Sequence, residues 1–204
     1  MDYEKAVVDF LSEKENISLV WDVNEYFQRV KEKLHVDFWN SVVKSLPENI
    51  EPFISRWRLA FQADEFHKQW GGIKLQPTED SPKNPLIFGL QQEWNSGSYW
   101  LFISTQWKTK INLEVERNRL LQNDAVLKLK NKLEEFQLKT HEMDWALGWK
   151  WIDCRPQSRD FCVRVATDTD AFSSEVVATF WAFFEDYRED VERVNEVIRE
   201  IEAK

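Results

Sequence analysis

Two β-type runs joined by a short turn constrain the fold more than any other part of this sequence. Residues 86–94 and 99–107 are rich in aromatic and aliphatic side chains, and Asn95-Ser96-Gly97-Ser98 connects them. Asn, Gly and Ser are typical turn residues, and a four-residue connection is common between antiparallel strands. The pattern therefore predicts an antiparallel β-hairpin.

The periodicity of the apolar residues assigns the rest of the chain. Spacings of three and four residues indicate helices, and alternation indicates half-buried strands. Because no β-α-β alternation occurs, we expect an α+β fold, an antiparallel sheet of about five strands packed by helices, in the order ααα-βββ-α-ββ-α. The predicted segments are helices at 6–11, 23–46 and 53–68, a strand at 73–77, the hairpin, a helix at 112–139, strands at 145–154 and 160–167, and a helix from 173 to the end.

The chain is expected to form one domain over residues 1–204. It divides into a helical part (1–70), a sheet with one long helix (71–170) and a C-terminal amphipathic helix (171–204). Apolar residues of that last helix recur in steps of four and three, the spacing of a coiled-coil seam. We expect the seam to pack on the N-terminal helices of the same chain, and a homodimer through 176–201 is the alternative.

Eleven tryptophans in 204 residues are the most unusual feature of the composition. Trp is typical of core layers and of binding surfaces. Since side chains alternate between the two faces of a strand, the tryptophans of one parity are expected in the core and those of the other on an exposed aromatic platform. The candidates are Trp94, Trp100, Trp107, Trp149 and Trp151.

The charge balance limits the partners. With 27 Lys+Arg against 36 Asp+Glu, the net charge is −9, whereas a protein that grips nucleic acid needs a basic face. Direct nucleic-acid binding is therefore not expected. The acidic C-terminal helix is either a solvated surface or a set of carboxylates presented to a basic partner. Its candidates are Glu185, Asp186, Glu189, Asp190, Glu192 and Glu196.

Motifs for catalysis or for a metal are not found. His35, His67 and His141 lie far apart, and the sequence has no G-x-S-x-G or phosphate-binding G-x-x-x-x-G-K. Cys154 and Cys162 are expected to be reduced. No apolar run reaches the roughly 20 residues of a membrane span, so a cytoplasmic protein without a cofactor is expected.

Five segments combine apolar residues with Trp or Gly. They are Phe38-Trp39, Trp70-Gly71-Gly72-Ile73, Leu86-Ile87-Phe88-Gly89-Leu90, Tyr99-Trp100-Leu101-Phe102-Ile103 and Leu147-Gly148-Trp149-Lys150-Trp151. Together they resemble the C-terminal region of some PD-(D/E)XK nuclease-superfamily proteins of bacteria and phages. The resemblance covers most of the chain and implies a domain that recognises a target.

The metal-binding motif of that superfamily is not intact in this chain. Asp80 matches the first acidic residue and Glu93 the second, but Trp94-Asn95 follows Glu93 where the family has a lysine two positions on. A nuclease-like enzyme would hold Mg²⁺ with these two acids and take its lysine from elsewhere, such as Lys74 or Lys108.

We therefore expect a non-catalytic, acidic binding or regulatory protein that acts through protein–protein contacts. Small acidic phage proteins that inhibit a bacterial defence or nucleic-acid-processing complex have this profile. The alternatives are a nuclease-like enzyme or DNA-recognition subunit, and a structural homodimer.

Overall fold

A computed structural model gives the fold of the chain. It describes residues 3–46, 50, 53, 55–61, 71–78, 85–93, 98–105, 120, 122–135, 146–156 and 158–203. Within these residues the elements are α1 (Tyr3–Leu11), α2 (Ile17–Ser45), β1 (Trp57–Phe61), β2 (Gly72–Pro77), β3 (Leu86–Glu93), β4 (Ser98–Thr105), α3 (Asp124–Glu135), β5 (Ala146–Trp151) and α4 (Arg159–Glu202).

The five strands form one antiparallel sheet in the order β1-β2-β3-β4-β5, so each strand pairs with its neighbour in sequence. The predicted hairpin is β3 and β4, which pair from Leu86 with Thr105 to Glu93 with Ser98. Helices pack on this sheet. The prediction of an α+β fold with a five-stranded antiparallel sheet is therefore confirmed.

Alternation along the strands separates two faces of the sheet. The inner face joins the helices in the main core, where Phe88, Leu90 and Leu101 are fully buried. The outer face has a second, smaller cluster of Ile87, Trp100, Phe102 and Trp149. Gly89 makes room for it, because a Cβ at this position would lie 2.0 Å from Cζ of Phe102.

The last helix, α4, has two parts. Ser158 caps its start, since its hydroxyl accepts a hydrogen bond from Phe161 N at 3.1 Å. Asp168 interrupts the helix with φ −157° and ψ 87°, and its carboxylate accepts a hydrogen bond from Ala171 N at 2.9 Å. Asp168 therefore caps the second part of α4, and the helix axis changes direction there.

The second part of α4 packs across the inner face of the sheet. The ring of Phe184 lies 5.1 Å from that of Phe88 and 5.3 Å from that of Trp57. Asn195 accepts a hydrogen bond from Leu86 N at 2.6 Å and donates one to Leu86 O at 3.2 Å, which joins the helix to the start of β3. The coiled-coil spacing of this helix thus packs against elements of the same chain.

The second half of α2 packs against the sheet and the first part of α4 through buried polar and aromatic side chains, and the ring of His35 lies 6.3 Å from that of Phe161 on α4. Trp39 Nε1 donates a hydrogen bond to His35 Nε2 at 3.0 Å, and the Tyr99 hydroxyl lies 2.9 Å from the same nitrogen. Because an indole N–H can only donate, His35 Nε2 is the acceptor and the imidazole proton is on Nδ1. The phenol of Tyr99 therefore also donates to this nitrogen.

The helix predicted at 112–139 is interrupted by a turn at residues 122 and 123, and α3 begins at Asp124. Two further segments differ in type from the predicted secondary structure. Residues 57–61 form β1 instead of part of a third helix, so the N-terminal part of the chain is not purely helical. Residues 160–167 belong to α4 and not to a strand. In addition, α2 begins at Ile17 rather than near Val23, and none of the residues of α1 is buried.

Candidate binding site at the end of strand β5

Three of the predicted platform tryptophans lie together on the outer face of the sheet. Trp100 is opposite Trp151 in the β4–β5 register, and Trp149 is opposite Phe102. Their ring centroids are 5.8 Å apart for Trp100 and Trp149 and 5.1 Å apart for Trp149 and Trp151. Exposure differs among the three rings: Trp100 on the inner strand β4 is buried, Trp149 on β5 is half-buried, and Trp151 at the end of β5 is 41% exposed.

Trp151 stands at the rim of a cleft of about 330 Å³, which we name the β5 cleft. This volume lies at the lower end of the range for ligand pockets. One wall comes from the end of β5 and the residues after it, and the other comes from both parts of α4. The lining residues are Lys150, Trp151, Ile152, Asp153, Cys154, Arg164, Phe172, Glu175, Val176 and Thr179.

The wall formed by α4 is held together across the Asp168 interruption. Arg164 lies before it and Glu175 after it, and their side chains form an ion pair at 2.5 Å. The guanidinium of Arg164 also lies 3.9 Å from the ring centroid of Phe172, in cation–π distance. These contacts place one charge of each sign on the α4 wall of the cleft.

Cys154 is a lining residue of the β5 cleft and a free, buried cysteine. Burial raises the pKa of its thiol to about 12. The positive charge of Arg164 opposes this increase, and the negative charges of Asp153 and Asp160 add to it. Only the thiolate form of cysteine is a strong nucleophile. At neutral pH Cys154 is therefore a thiol that contributes apolar surface to the cleft.

Asp190, one of the predicted binding acids, is engaged within the chain. Its carboxylate is 3.0 Å from Lys132 Nζ and 3.3 Å from Lys128 Nζ, both on α3, and the residue is only 9% exposed. Burial alone would raise the pKa of Asp190, but hydrogen bonds and charges of the two lysines outweigh burial and lower this pKa below its ordinary value. Asp190 thus joins α4 to α3.

Glu192 is also engaged within the chain. Its carboxylate accepts a hydrogen bond from Trp57 Nε1 at 2.9 Å and lies 3.6 Å from the guanidinium of Arg188. This half-buried residue therefore attaches α4 to β1. The other predicted acids of this helix, Glu185, Asp186, Glu189 and Glu196, are exposed.

The residues of the alternative nuclease site are only partly described. Asp80, Lys108, Trp94 and Trp107 lie outside the described residues, as does the side chain of Glu93. Lys74 is half-buried on β2, where it pairs with Gly89 on β3. Within the described part of the chain no group of three or more His, Cys, Asp or Glu residues is arranged to hold a metal ion.

The sequence did not indicate the α4 side of the β5 cleft. Arg164 and Glu175 were assigned to different elements, a strand and a helix, so their contact was not foreseen. The one signal was Ser158, a good N-cap residue followed at once by Arg159-Asp160, which favours a helix start at this point.

None of the described helices is long and apolar enough to cross a membrane. Comparisons with protein-family models, with curated proteins and with solved structures found no match to this chain.

Proposed function

We propose that this protein is a non-catalytic binding protein that contacts another protein through the β5 cleft. The single observation that supports the proposal is an exposed Trp151 held by two neighbouring tryptophan rings at the rim of a preformed cleft. Trp and Arg are the side chains that most often dominate binding at protein interfaces. Here the cleft has one of each.

The chemistry of the cleft indicates what a partner would insert. Lys150 and Asp153 contribute one charge of each sign to the lining, and Val176 adds an apolar surface. A short partner segment with an apolar side chain flanked by polar groups complements this lining. Because strand β5 and helix α4 provide the walls, the geometry is set by regular elements, which favours specific recognition.

The test compares captured proteins between variants that differ only at the cleft. Trp151→Ala removes the exposed ring, and Thr179→Trp fills the cleft, while Val163→Ala alters an exposed residue of α4 outside the lining. We expect a protein from the lysate to be retained by the native chain and by Val163→Ala but lost with both cleft variants. The captured protein is then purified and titrated against each variant by calorimetry.

Loss of binding of at least tenfold for both cleft variants, with Val163→Ala unchanged, is the supporting result. A partner that binds all variants equally would contradict the proposal. Unchanged far-ultraviolet circular dichroism of the variants excludes unfolding as the cause.

A second candidate surface is the acidic side of α4, proposed for a partner with a basic nucleic-acid-binding channel. Glu185, Glu189 and Glu196 are exposed and separated by four and seven residues, which places them on the same side of the helix. An inhibitor that occupies such a channel presents this kind of negative surface. This is the arrangement expected for a protein that blocks a defence or nucleic-acid-processing complex.

Charge reversal distinguishes the two surfaces. Glu189→Lys combined with Glu196→Lys is expected to slow association and to reduce its dependence on salt, whereas Asp124→Lys on the exposed surface of α3 serves as the control. Equal rates for the double variant and the control would reject the acidic surface and leave the β5 cleft as the proposed site.

A further inference from the structure

Exposed apolar side chains concentrate at the N-terminus of the chain. Twelve of the sixteen large apolar side chains that are exposed among the described residues lie between residues 3 and 30. We call α1 and residues 17–34 of α2 the N-terminal helical pair. The twelve are Tyr3, Val7, Val8, Phe10, Leu11, Ile17, Leu19, Trp21, Val23, Tyr26, Phe27 and Val30.

The first half of α2 projects from the rest of the described structure. Every residue from 21 to 30 is exposed, whereas His35, Phe38 and Val42 further along the same helix are buried. An isolated helix of this length is only marginally stable in water, and most helices in proteins are stabilised by packing of an apolar face. The exposed apolar residues of the N-terminal helical pair are therefore typical of a surface that is buried against a partner.

Three exposed apolar residues of α2 and the half-buried Leu34 form a continuous face. Val23, Phe27, Val30 and Leu34 follow each other at steps of four, three and four, the spacing of helices that pack side by side. The face continues into Phe38, which packs on α4 with a ring separation of 5.3 Å from Phe172. A further helix placed on this face would extend a packing arrangement that already exists within the chain.

We propose that the N-terminal helical pair binds a second copy of this chain, with the two α2 helices antiparallel about a twofold axis. The charges of the helix support this orientation. Residues 22–25 contain Asp22 and Glu25 and no basic residue, and residues 29–33 contain three basic residues and Glu32, a net charge of −2 followed by +2. Within the chain Arg29 pairs with Glu25, and Lys33 pairs with Asp37. In an antiparallel pair the acidic turns of each copy lie beside the basic turns of the other, whereas a parallel pair would place like charges together.

The exposed area of this face is large for two turns of helix. Val23, Phe27 and Val30 are 57%, 53% and 51% exposed, and Tyr26 at the edge of the face is 63% exposed, so the four side chains expose roughly 300–350 Å². A standard interface buries roughly 800 Å² per partner, so the exposed apolar residues of α1 would have to form part of the interface as well. A lipid surface is a less suitable partner for the N-terminal helical pair than a second copy of the chain. Helices that bind lipid surfaces are rich in Lys and Arg, whereas residues 3–34 contain seven acidic and five basic residues.

The experiment measures the mass of the full chain in solution by sedimentation equilibrium across the micromolar range. We expect twice the chain mass of 24.5 kDa for the native protein. Phe27→Asp combined with Val30→Asp is expected to give one chain mass. Val36→Asp is the control, since Val36 is also exposed on α2 but on a different side of the helix, and it should remain dimeric.

Charge variants test the antiparallel orientation. Asp22 and Lys33 are eleven residues apart and so lie on the same side of the apolar face. Lys33→Asp places an acid beside Asp22 of the other copy and is expected to raise the dissociation constant about tenfold. Adding Asp22→Lys to Lys33→Asp exchanges the two charges and is expected to restore the native dissociation constant. In a parallel dimer the exchange would restore nothing.

Three results would overturn the proposal. The first is a native chain that stays at one chain mass at the highest concentration. The second is a dimer that the Phe27→Asp and Val30→Asp double variant does not dissociate. The third is binding of the native chain, but not of the double variant, to phosphatidylcholine–phosphatidylglycerol vesicles without any dimer, which would assign the surface to lipid. Because none of these variants alters the β5 cleft, the outcome is independent of the proposed protein-binding function.

Discussion

Replacing Asp190 by Asn tests the role that the structure gives to this residue. The Asp190 side chain is 12% exposed and lies between two lysines, of which Lys132 is 31% and Lys128 61% exposed. Breaking a fully buried ion pair costs about 3–5 kcal/mol, and a surface pair contributes about 0–1 kcal/mol. Because both lysines can turn to water, we expect Asp190→Asn to lower the free energy of unfolding by about 1–2 kcal/mol.

The pH dependence of this effect has a defined sign. The folded chain lowers the pKa of Asp190, so the contribution of its carboxylate is complete above the ordinary value of about 4. The contribution is lost as the pH falls from there through the lower pKa of the folded state. The difference in stability between the native chain and Asp190→Asn should therefore be constant from pH 7 to pH 5 and shrink below about pH 4.

Urea unfolding followed by tryptophan fluorescence measures both quantities. Glu189→Gln is the matched control, because this neighbouring side chain is 81% exposed and should change the stability by less than about 0.5 kcal/mol. If Asp190→Asn were as stable as the native chain at pH 7, or if the difference persisted unchanged at pH 3, the assignment of Asp190 to the contact between α3 and α4 would be refuted.

Three further predictions use the same unfolding assay. Phe184→Ala should cost about 3–5 kcal/mol, because this fully buried ring packs on several aromatic neighbours, while Val163→Ala at an exposed position should cost less than about 0.5 kcal/mol. His35→Leu removes the acceptor of two buried donors and should cost about 2–4 kcal/mol, more than the roughly 1 kcal/mol of Tyr99→Phe, which leaves one donor in place. Asp168→Ala removes the cap of the second part of α4 and should cost about 1 kcal/mol.

The hairpin and the C-terminal helix could be predicted because each has a long, clear pattern. Strands β3 and β4 are two runs rich in aromatic and aliphatic side chains, and the residues between them, Asn95-Ser96-Gly97, are typical of turns. The three-and-four spacing of α4 extends from Phe180 to Ile201, and over this length only a helix places all these residues on one side. In these segments the secondary structure favoured by the local pattern is also the one that the tertiary contacts require.

The two misassigned segments are short and ambiguous in the same way. Phe161, Val163 and Val165 alternate as in a strand, but Phe161 and Val165 are also four residues apart, and in α4 these two are buried while Val163 is 53% exposed. Trp57 and Leu59 show the opposite case, because their alternation was taken as part of a helix. Pairing of Trp57 with Pro77 on β2 decided the outcome, and no local pattern contains that information.

The candidate site could be predicted only in part, since a cleft depends on contacts between distant residues. The parity of Trp149 and Trp151 along β5 indicated a shared face, and the structure places both on it. Which of them is exposed depends on the packing of the elements around the sheet. Similarly, the acidic residues of α4 look alike in sequence, and only the positions of α3 and β1 distinguish Asp190 and Glu192 from their exposed neighbours.

The apolar seam of α4 decides where a second copy can bind without unfolding the first. Phe180, Phe184, Val191 and Val194 are fully buried within the chain, and Tyr187 and Ile198 nearly so. Exposing an apolar side chain of this size costs about 1.5–3 kcal/mol, so freeing the whole seam costs on the order of 10 kcal/mol, comparable with the total stability of a domain. A homodimer through 176–201 would first have to open the core.

The N-terminal helical pair has no such requirement, because its apolar residues are already exposed in the single chain. The two locations therefore predict opposite relations between mass and stability. Substitutions at Phe27 and Val30 should change the mass in solution while the core of the chain keeps its unfolding midpoint in dilute solution. Substitutions at Phe184 should lower the midpoint and leave the mass of the folded protein unchanged. A seam dimer requires the reverse, namely that Phe184 variants change the mass and that Phe27 and Val30 variants do not.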